Sequence, residues 1–130
     1  MVTTMMRGLL VSTFLICAVP GFAETAVTVA PAEMTATAMG MALVDAKGMP
    51  LYTLETDMDG KSSCNGDCAA KWLPVPVAEG SMPIDDWSVV VRDVGAKMWA
   101  YKGHPLYTFV DDKTPGQVTG DNMEGFHLAI

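Results

Sequence analysis

The most constraining feature of the chain is a ten-residue segment that occurs twice. Residues 48–57 recur 55 positions later as residues 103–112, with six of the ten positions identical in the order G-x-P-L-Y-T-x-x-x-D. A segment repeated in this way is typical of a domain assembled from related supersecondary units. The sequence therefore predicts a small domain built from two related hairpins, while the repeat itself specifies no reaction.

The N-terminus has the pattern of an export signal. Arg7 precedes an apolar run over residues 8–19, and Gly21 and Ala23 place small residues at positions −3 and −1 of a cleavage site. We therefore predict a signal peptide over residues 1–23 that is cleaved near Ala23, and an uncleaved anchor is the alternative. The expected location is the periplasm or the exterior of the cell.

Charge and hydropathy disfavour nucleic-acid partners and attachment to a membrane. Cleavage after Ala23 leaves seven basic and fifteen acidic residues, a net charge of −8. That balance disfavours nucleic acid and anionic lipid, which both attract basic clusters. The apolar run of the signal is shorter than the roughly 20 residues of a membrane-spanning helix. Lipid anchoring is not expected either, because Ile16 stands where a lipoprotein signal needs a small residue before Cys17.

The two remaining cysteines predict a disulfide. Cys64 and Cys68 enclose a short loop, and an even number of cysteines in an oxidising compartment indicates a structural bridge. A redox-active or metal-thiolate site is the alternative. Against this alternative, Cys64 and Cys68 are separated by three residues rather than two, and the β-α-β context of thioredoxin-like motifs is absent from the sequence around them.

Hydrophobic patterning divides the exported chain into two parts. Residues 24–40 are rich in Ala and Thr and are expected to form a flexible lead-in. Residues 41–130 are expected to form a mainly β domain, a small antiparallel sheet with the first repeat at about 41–77 and the second at about 87–130. We expect this domain to be monomeric.

Individual elements follow from local signals. The pattern predicts a hairpin over residues 41–55 and one short helix over residues 68–72, with Asp67 as its N-cap after the cysteine loop. The final strand, residues 125–130, is expected to pair with the hairpin of Tyr107.

The residues shared by the two copies have a structural interpretation. Tyr107 and Phe109 lie two positions apart, so both rings face the same side of a strand and are expected to be buried. The aspartate that follows can accept turn amide hydrogens. A buried tyrosine hydroxyl needs a partner, and Asp57 or Asp112 could provide it across the interface between the repeats.

These residues resemble a known family. The chain is similar to bacterial secreted repeat proteins, or predicted lipoproteins, that carry a Tyr-x-(Phe/Trp/Tyr)-x-x-Asp motif. Leu54 stands where the family has an aromatic residue. The resemblance implies an envelope protein without an established biochemical activity, and it extends over residues 41–130. The matching motif residues are Tyr52, Leu54 and Asp57 in the first copy and Tyr107, Phe109 and Asp112 in the second.

Two metal sites are the main alternatives to a purely structural or binding role. Oxygen-bearing side chains crowd the loop that contains Asp57, Asp59 and Asp67, as hard cations such as calcium prefer, although the EF-hand order is absent. The eight methionines of the exported chain provide soft thioethers that suit Cu(I). The candidate copper ligands are Met39, Met41, Met49 and His104.

Catalysis is not expected, and no cofactor is predicted. The chain has two histidines, and neither belongs to a recognisable Ser-His-Asp or Cys-His grouping. The sequence therefore favours an exported binding or structural module whose partner is an envelope protein or a glycan. Trp72, Trp87 and Trp99 could form a recognition face, but a thin domain is expected to use them in its core.

Overall fold

The structure, a computed structural model, describes residues 30–130. The predicted signal peptide, its cleavage site and the first part of the lead-in lie outside this range. Nine strands and one short helix follow one another along the described residues. They are β1 Ala32–Thr37, β2 Gly40–Asp45, β3 Tyr52–Leu54, α1 Asp67–Lys71, β4 Trp72–Pro74, β5 Trp87–Val91, β6 Lys97–Tyr101, β7 His104–Pro105, β8 Tyr107–Phe109 and β9 Phe126–Leu128. The predicted mainly β fold with antiparallel sheets is confirmed.

The central sheet interleaves the two repeats. Its order is β4-β8-β3-β9, and Tyr52 is paired with Tyr107 at its middle. Strand β4 of the first repeat pairs with β8 of the second, and β9 of the second pairs with β3 of the first. The prediction that the last strand pairs with the hairpin of Tyr107 is therefore wrong, because each repeat donates its final strand to the other.

Each repeat also contributes a hairpin beside the central sheet. Strands β1 and β2 pair from Ala32 opposite Asp45 to Thr37 opposite Gly40, and β5, β6 and β7 form the corresponding three-stranded sheet. The structure differs here from two expectations. Part of the predicted lead-in is strand β1, which is ordered by its pairing with β2 although Ala32 is its one buried residue. The predicted hairpin over residues 41–55 is only a bridge between Val44 and Pro50, because β3 pairs within the central sheet.

The short helix begins one residue earlier than an Asp67 cap would require. Gly66 is the N-cap, with a φ of 61° that suits glycine, and no side chain in the described range caps the helix. Asp67 is the first helical residue, so its carboxylate lies near the positive end of the helix without capping it. The predicted capping role of Asp67 is wrong.

The core has two layers because successive strand residues point to opposite faces of the central sheet. One layer contains Tyr52 and Tyr107. The other contains their neighbours Leu51 and Leu106, together with Trp99. No helix within residues 30–130 is long and apolar enough to cross a membrane.

Candidate functional site

The two motif tyrosines lie side by side at the centre of the sheet, and each hydroxyl is held by the aspartate of the other repeat. Tyr52 Oη donates to Asp112 Oδ2 at 2.6 Å, and Tyr107 Oη donates to Asp57 Oδ2 at 2.5 Å. Both tyrosines are fully buried. The expected contact between tyrosine and aspartate across the repeat interface is confirmed, and it occurs twice.

Each aspartate uses its second oxygen to hold the loop that follows it. Asp57 Oδ1 accepts from the backbone N–H and the hydroxyl of Ser63 at 2.7 and 2.8 Å. Asp112 Oδ1 accepts from the same two groups of Thr119 at 2.9 and 2.6 Å. Ser63 and Thr119 are not among the predicted site residues. Their signal in the sequence is a hydroxyl side chain six or seven positions after each motif aspartate.

The tyrosine hydroxyls also accept hydrogen bonds. The Gly120 N–H donates to Tyr52 Oη at 3.3 Å. Because the Tyr107 hydroxyl already donates to Asp57, the buried Ser62 hydroxyl donates to it at 2.6 Å. Every side-chain oxygen of the two pairs therefore has a partner inside the protein.

Burial raises the pKa of both Tyr52 and Tyr107 well above the usual range, because it disfavours the charged phenolate. The hydrogen bond to a carboxylate raises each pKa further, through Asp112 for Tyr52 and Asp57 for Tyr107. Both phenols are thus neutral hydrogen-bond donors at physiological pH. The paired residues join the repeats and leave no activated nucleophile or base.

We expect the alkaline stability of the protein to reflect these two phenols. An unfolded tyrosine ionises near pH 10, whereas the buried ones stay neutral above that value. The unfolded state therefore loses more protons above about pH 10. The contribution of these two phenols to the free energy of unfolding should be constant below about pH 10 and fall above it. Urea unfolding followed by tryptophan fluorescence between about pH 8 and about pH 12 measures this decline. A Tyr52→Phe, Tyr107→Phe variant should decline less steeply, and parallel curves would contradict the assignment.

Aromatic rings surround the tyrosine pairs and join the repeats through packing. Trp72 of the first repeat is stacked between Phe109 and Phe126 of the second, with centroids 4.1 and 3.8 Å away. The rings of Trp72 and Tyr52 are also in a T-shaped contact, with their centroids 5.3 Å apart. Trp72 Nε1 is buried and has no hydrogen-bond partner among residues 30–130. Packing rather than polar contact therefore fixes this side chain.

The tryptophans do not form an exposed recognition face. Trp72, Trp87 and Trp99 are all buried. The ring centroids of Trp87 and Trp99 are 6.1 Å apart in the second core layer. The expectation that the core uses them is confirmed. Any partner surface must be sought on other residues.

The predicted disulfide is present beside the helix. Cys64 and Cys68 are bonded, and Cys64 is fully buried. Arg92 from the end of β5 donates to the Cys64 carbonyl at 3.2 Å and to Asn65 Oδ1 at 3.3 Å. Burial of one sulfur and this bridge to the second repeat favour a structural role over the redox alternative.

The predicted calcium ligands do not converge. Asp57 is occupied by Tyr107 and Ser63, while Asp59 and Asp67 are exposed. Residues 30–130 contain no group of three or more His, Cys, Asp or Glu side chains that could hold a metal ion.

The four predicted copper ligands lie on different elements. Met39 and Met41 belong to the tip of the β1–β2 hairpin, whereas Met49 O accepts from the Asp45 N–H at the other end of β2. Four residues of extended strand separate Met41 from that end, roughly 13 Å. His104 lies on β7, paired with Tyr101 of the second repeat. Only Met39 and Met41 are therefore brought together.

Neither histidine lies in a catalytic grouping. His104 is exposed, and His127 contacts Glu55 Oε2 at 2.7 Å and Asn122 Oδ1 at 2.9 Å on the surface. In the part of the chain that the structure describes, neither imidazole is hydrogen-bonded to a serine, threonine or cysteine side chain.

Two repeats with this shared architecture match a known family. A family profile described as a secreted repeat of unknown function matches residues 34–76 and 88–127. The chain belongs to this family of secreted repeats. The two matches separate the repeats near the connection between β4 and β5, and the first includes most of β1. Neither the curated proteins nor the solved structures yielded a match.

Proposed function

We propose that this secreted repeat protein is a non-catalytic module of the cell envelope that binds an extended segment of a partner protein. The motif residues support a scaffolding role, because the buried tyrosines and their aspartates satisfy one another. The binding role rests on a different observation, the unpaired outer edge of strand β5.

The backbone of Trp99 determines which groups of β5 face outward. The Trp99 N–H donates to the Val75 carbonyl at 2.9 Å, and the Trp99 carbonyl accepts from the Leu106 N–H at 3.0 Å. Trp99 is opposite Val89, so these two residues form a non-hydrogen-bonded pair of the antiparallel ladder. The N–H and C=O of Val89 therefore point away from β6, and among residues 30–130 they have no backbone partner.

This edge lacks the usual protection against strand addition. Exposed edges in monomeric proteins commonly carry lysine, proline or a bulge, but β5 reads Trp-Ser-Val-Val-Val. A cavity of about 560 Å³ adjoins the strand, with Val77 and Val89 among its apolar lining and Glu79 and Lys97 as its charged groups. An added strand would gain backbone hydrogen bonds from the edge, and the cavity could receive one of its side chains.

Photo-crosslinking in the producing cells tests the proposal. A photoreactive residue at Val91, which is 64% exposed, should form an adduct of defined mass. The same residue at Met123, an exposed position in the loop before β9, should not. No adduct, or the same adduct from both positions, would refute binding at β5.

A second variant separates backbone pairing from simple proximity. Val89→Pro removes the outward N–H of β5, and proline is tolerated on an edge strand where no ladder hydrogen bond is lost. We expect this variant to fold but to lose the Val91 adduct. Val89→Thr keeps the N–H and should retain it. An adduct that survives Val89→Pro would show that the partner does not extend the sheet.

A further inference from the structure

A second surface, on the hairpin of the first repeat, carries three exposed methionines. Met34 lies on β1, Met39 in the turn and Met41 on β2, with 45%, 60% and 55% of each residue exposed. None of them belongs to either core layer. Met98 is fully buried, so the core of the same protein does accommodate methionine where packing requires it.

The register of the hairpin brings the thioethers together. Met41 is opposite Ala36, and Met34 is two residues from Ala36 on the same strand, so Met34 and Met41 share one face. They are diagonal neighbours, which places their β-carbons about 7–8 Å apart or less, within reach of long side chains. Two flexible thioethers at this distance can approach one ion.

The turn holds the third methionine close to this pair. Met39 precedes Met41 by two residues in a two-residue connection between the strands. The Thr37 hydroxyl donates to the Gly40 carbonyl at 2.6 Å and accepts from the Met39 N–H at 3.2 Å. The tip is also attached to the second repeat, because the Ala38 N–H donates to the Gly116 carbonyl at 3.0 Å. The backbone that carries Met39 is therefore well defined.

The fold itself does not require methionines at these positions. The hairpin of the second repeat has the same architecture, and there Val89 faces Trp99 as Met34 faces Leu43. Lys97 corresponds to Met41, because Lys97 precedes Trp99 by two residues as Met41 precedes Leu43. The first hairpin thus exposes three soft ligands where its counterpart has a valine and a lysine.

We propose that the β1–β2 hairpin binds one Cu(I) ion through the thioether sulfurs of Met34, Met39 and Met41. Thioethers are soft ligands that favour Cu(I) over calcium or magnesium, which take oxygen ligands. Because thioether sulfurs do not gain or lose protons near neutral pH, the affinity should change little there. The two described cysteines are joined in the disulfide and do not compete for the ion.

Competition with a chromogenic Cu(I) chelator tests this site on the full exported chain. Under anaerobic conditions with ascorbate, the parent protein should withdraw one equivalent of Cu(I) from the chelator. Met34→Leu, Met41→Leu should bind at least about tenfold more weakly, since leucine conserves volume but removes the sulfur. Met58→Leu, Met123→Leu alters two exposed methionines outside the hairpin and should bind as the parent does. Equal binding by all three proteins, or none by the parent, would overturn the proposal.

Ag(I), which needs no reductant, identifies the ligands directly. On addition of one equivalent, the NMR signals of the methionine ε-methyl groups should shift for Met34, Met39 and Met41. The signals of Met58 and Met123 should stay in place. Shifts confined to Met49, or to the His104 ring, would assign the ion to a different ligand set and refute this one.

Discussion

Replacing Trp72 by alanine is expected to lower the free energy of unfolding by about 3–5 kcal/mol, as for other large aromatic side chains removed from a core. The ring is fully buried and stacked between Phe109 and Phe126. Its removal would open a cavity between the two repeats rather than within one of them. Urea unfolding followed by circular dichroism gives the free energy directly.

Trp72→Phe is the matched control. Phenylalanine keeps an aromatic face between the two rings, and it removes the buried Nε1–H, for which the described part of the chain provides no partner. An unpaired buried donor costs about 1–3 kcal/mol, so its removal should offset part of the lost contact area. We therefore expect a markedly smaller loss than for Trp72→Ala. Equal losses for the two variants would show that the stacking does not stabilise the interface.

The second large effect is expected at Asp112. Asp112→Ala should lower the free energy of unfolding by about 2–3 kcal/mol, because it leaves the buried Tyr52 hydroxyl without its acceptor. The same change releases the two hydrogen bonds from Thr119. Asp57→Ala disrupts the related contacts with Tyr107 and Ser63, but Asp57 is less buried and its loss should be smaller.

A double-mutant cycle assigns this loss to the tyrosine contact. Tyr52→Phe, Asp112→Ala and the double variant are unfolded in urea, and the coupling between the two positions should be about 0.5–3 kcal/mol. Tyr52→Phe with Asp57→Ala provides the unpaired comparison, for which the effects should add. Additivity at Tyr52 and Asp112 would contradict a direct hydrogen bond between them.

Much of the interior follows from local patterns in the sequence. The spacing of Tyr107 and Phe109 predicts two rings on one face, and the repeated aspartate predicts a polar partner for the phenol. Both are present. The disulfide follows from the cysteine count after export, and burial of Trp72 follows from the small size of the domain.

The arrangement of strands is harder to predict because alternation defines the faces of a strand and not its neighbours. The pattern of β9 fits equally beside β3 or β8, and the structure places it beside β3. The sequence predicts a flexible segment at β1, because Ala and Thr give it little to bury. The order of this strand depends on backbone pairing with β2. The copper candidates show the same limit, since Met34 becomes a neighbour of Met41 only through the register of the hairpin.

The exchange of β4 and β9 between the repeats has a consequence for what counts as the smallest foldable piece. In one repeat alone, both edges of the tyrosine strand would be unpaired, and the last strand would have no strand to pair with. One repeat could pair these strands only by exchanging its last strand with a second copy. The present chain is therefore equivalent to a strand-swapped homodimer fused into one polypeptide. Cleavage of the linker near residue 80 would accordingly leave two fragments that stay associated through their exchanged strands, rather than two independent domains.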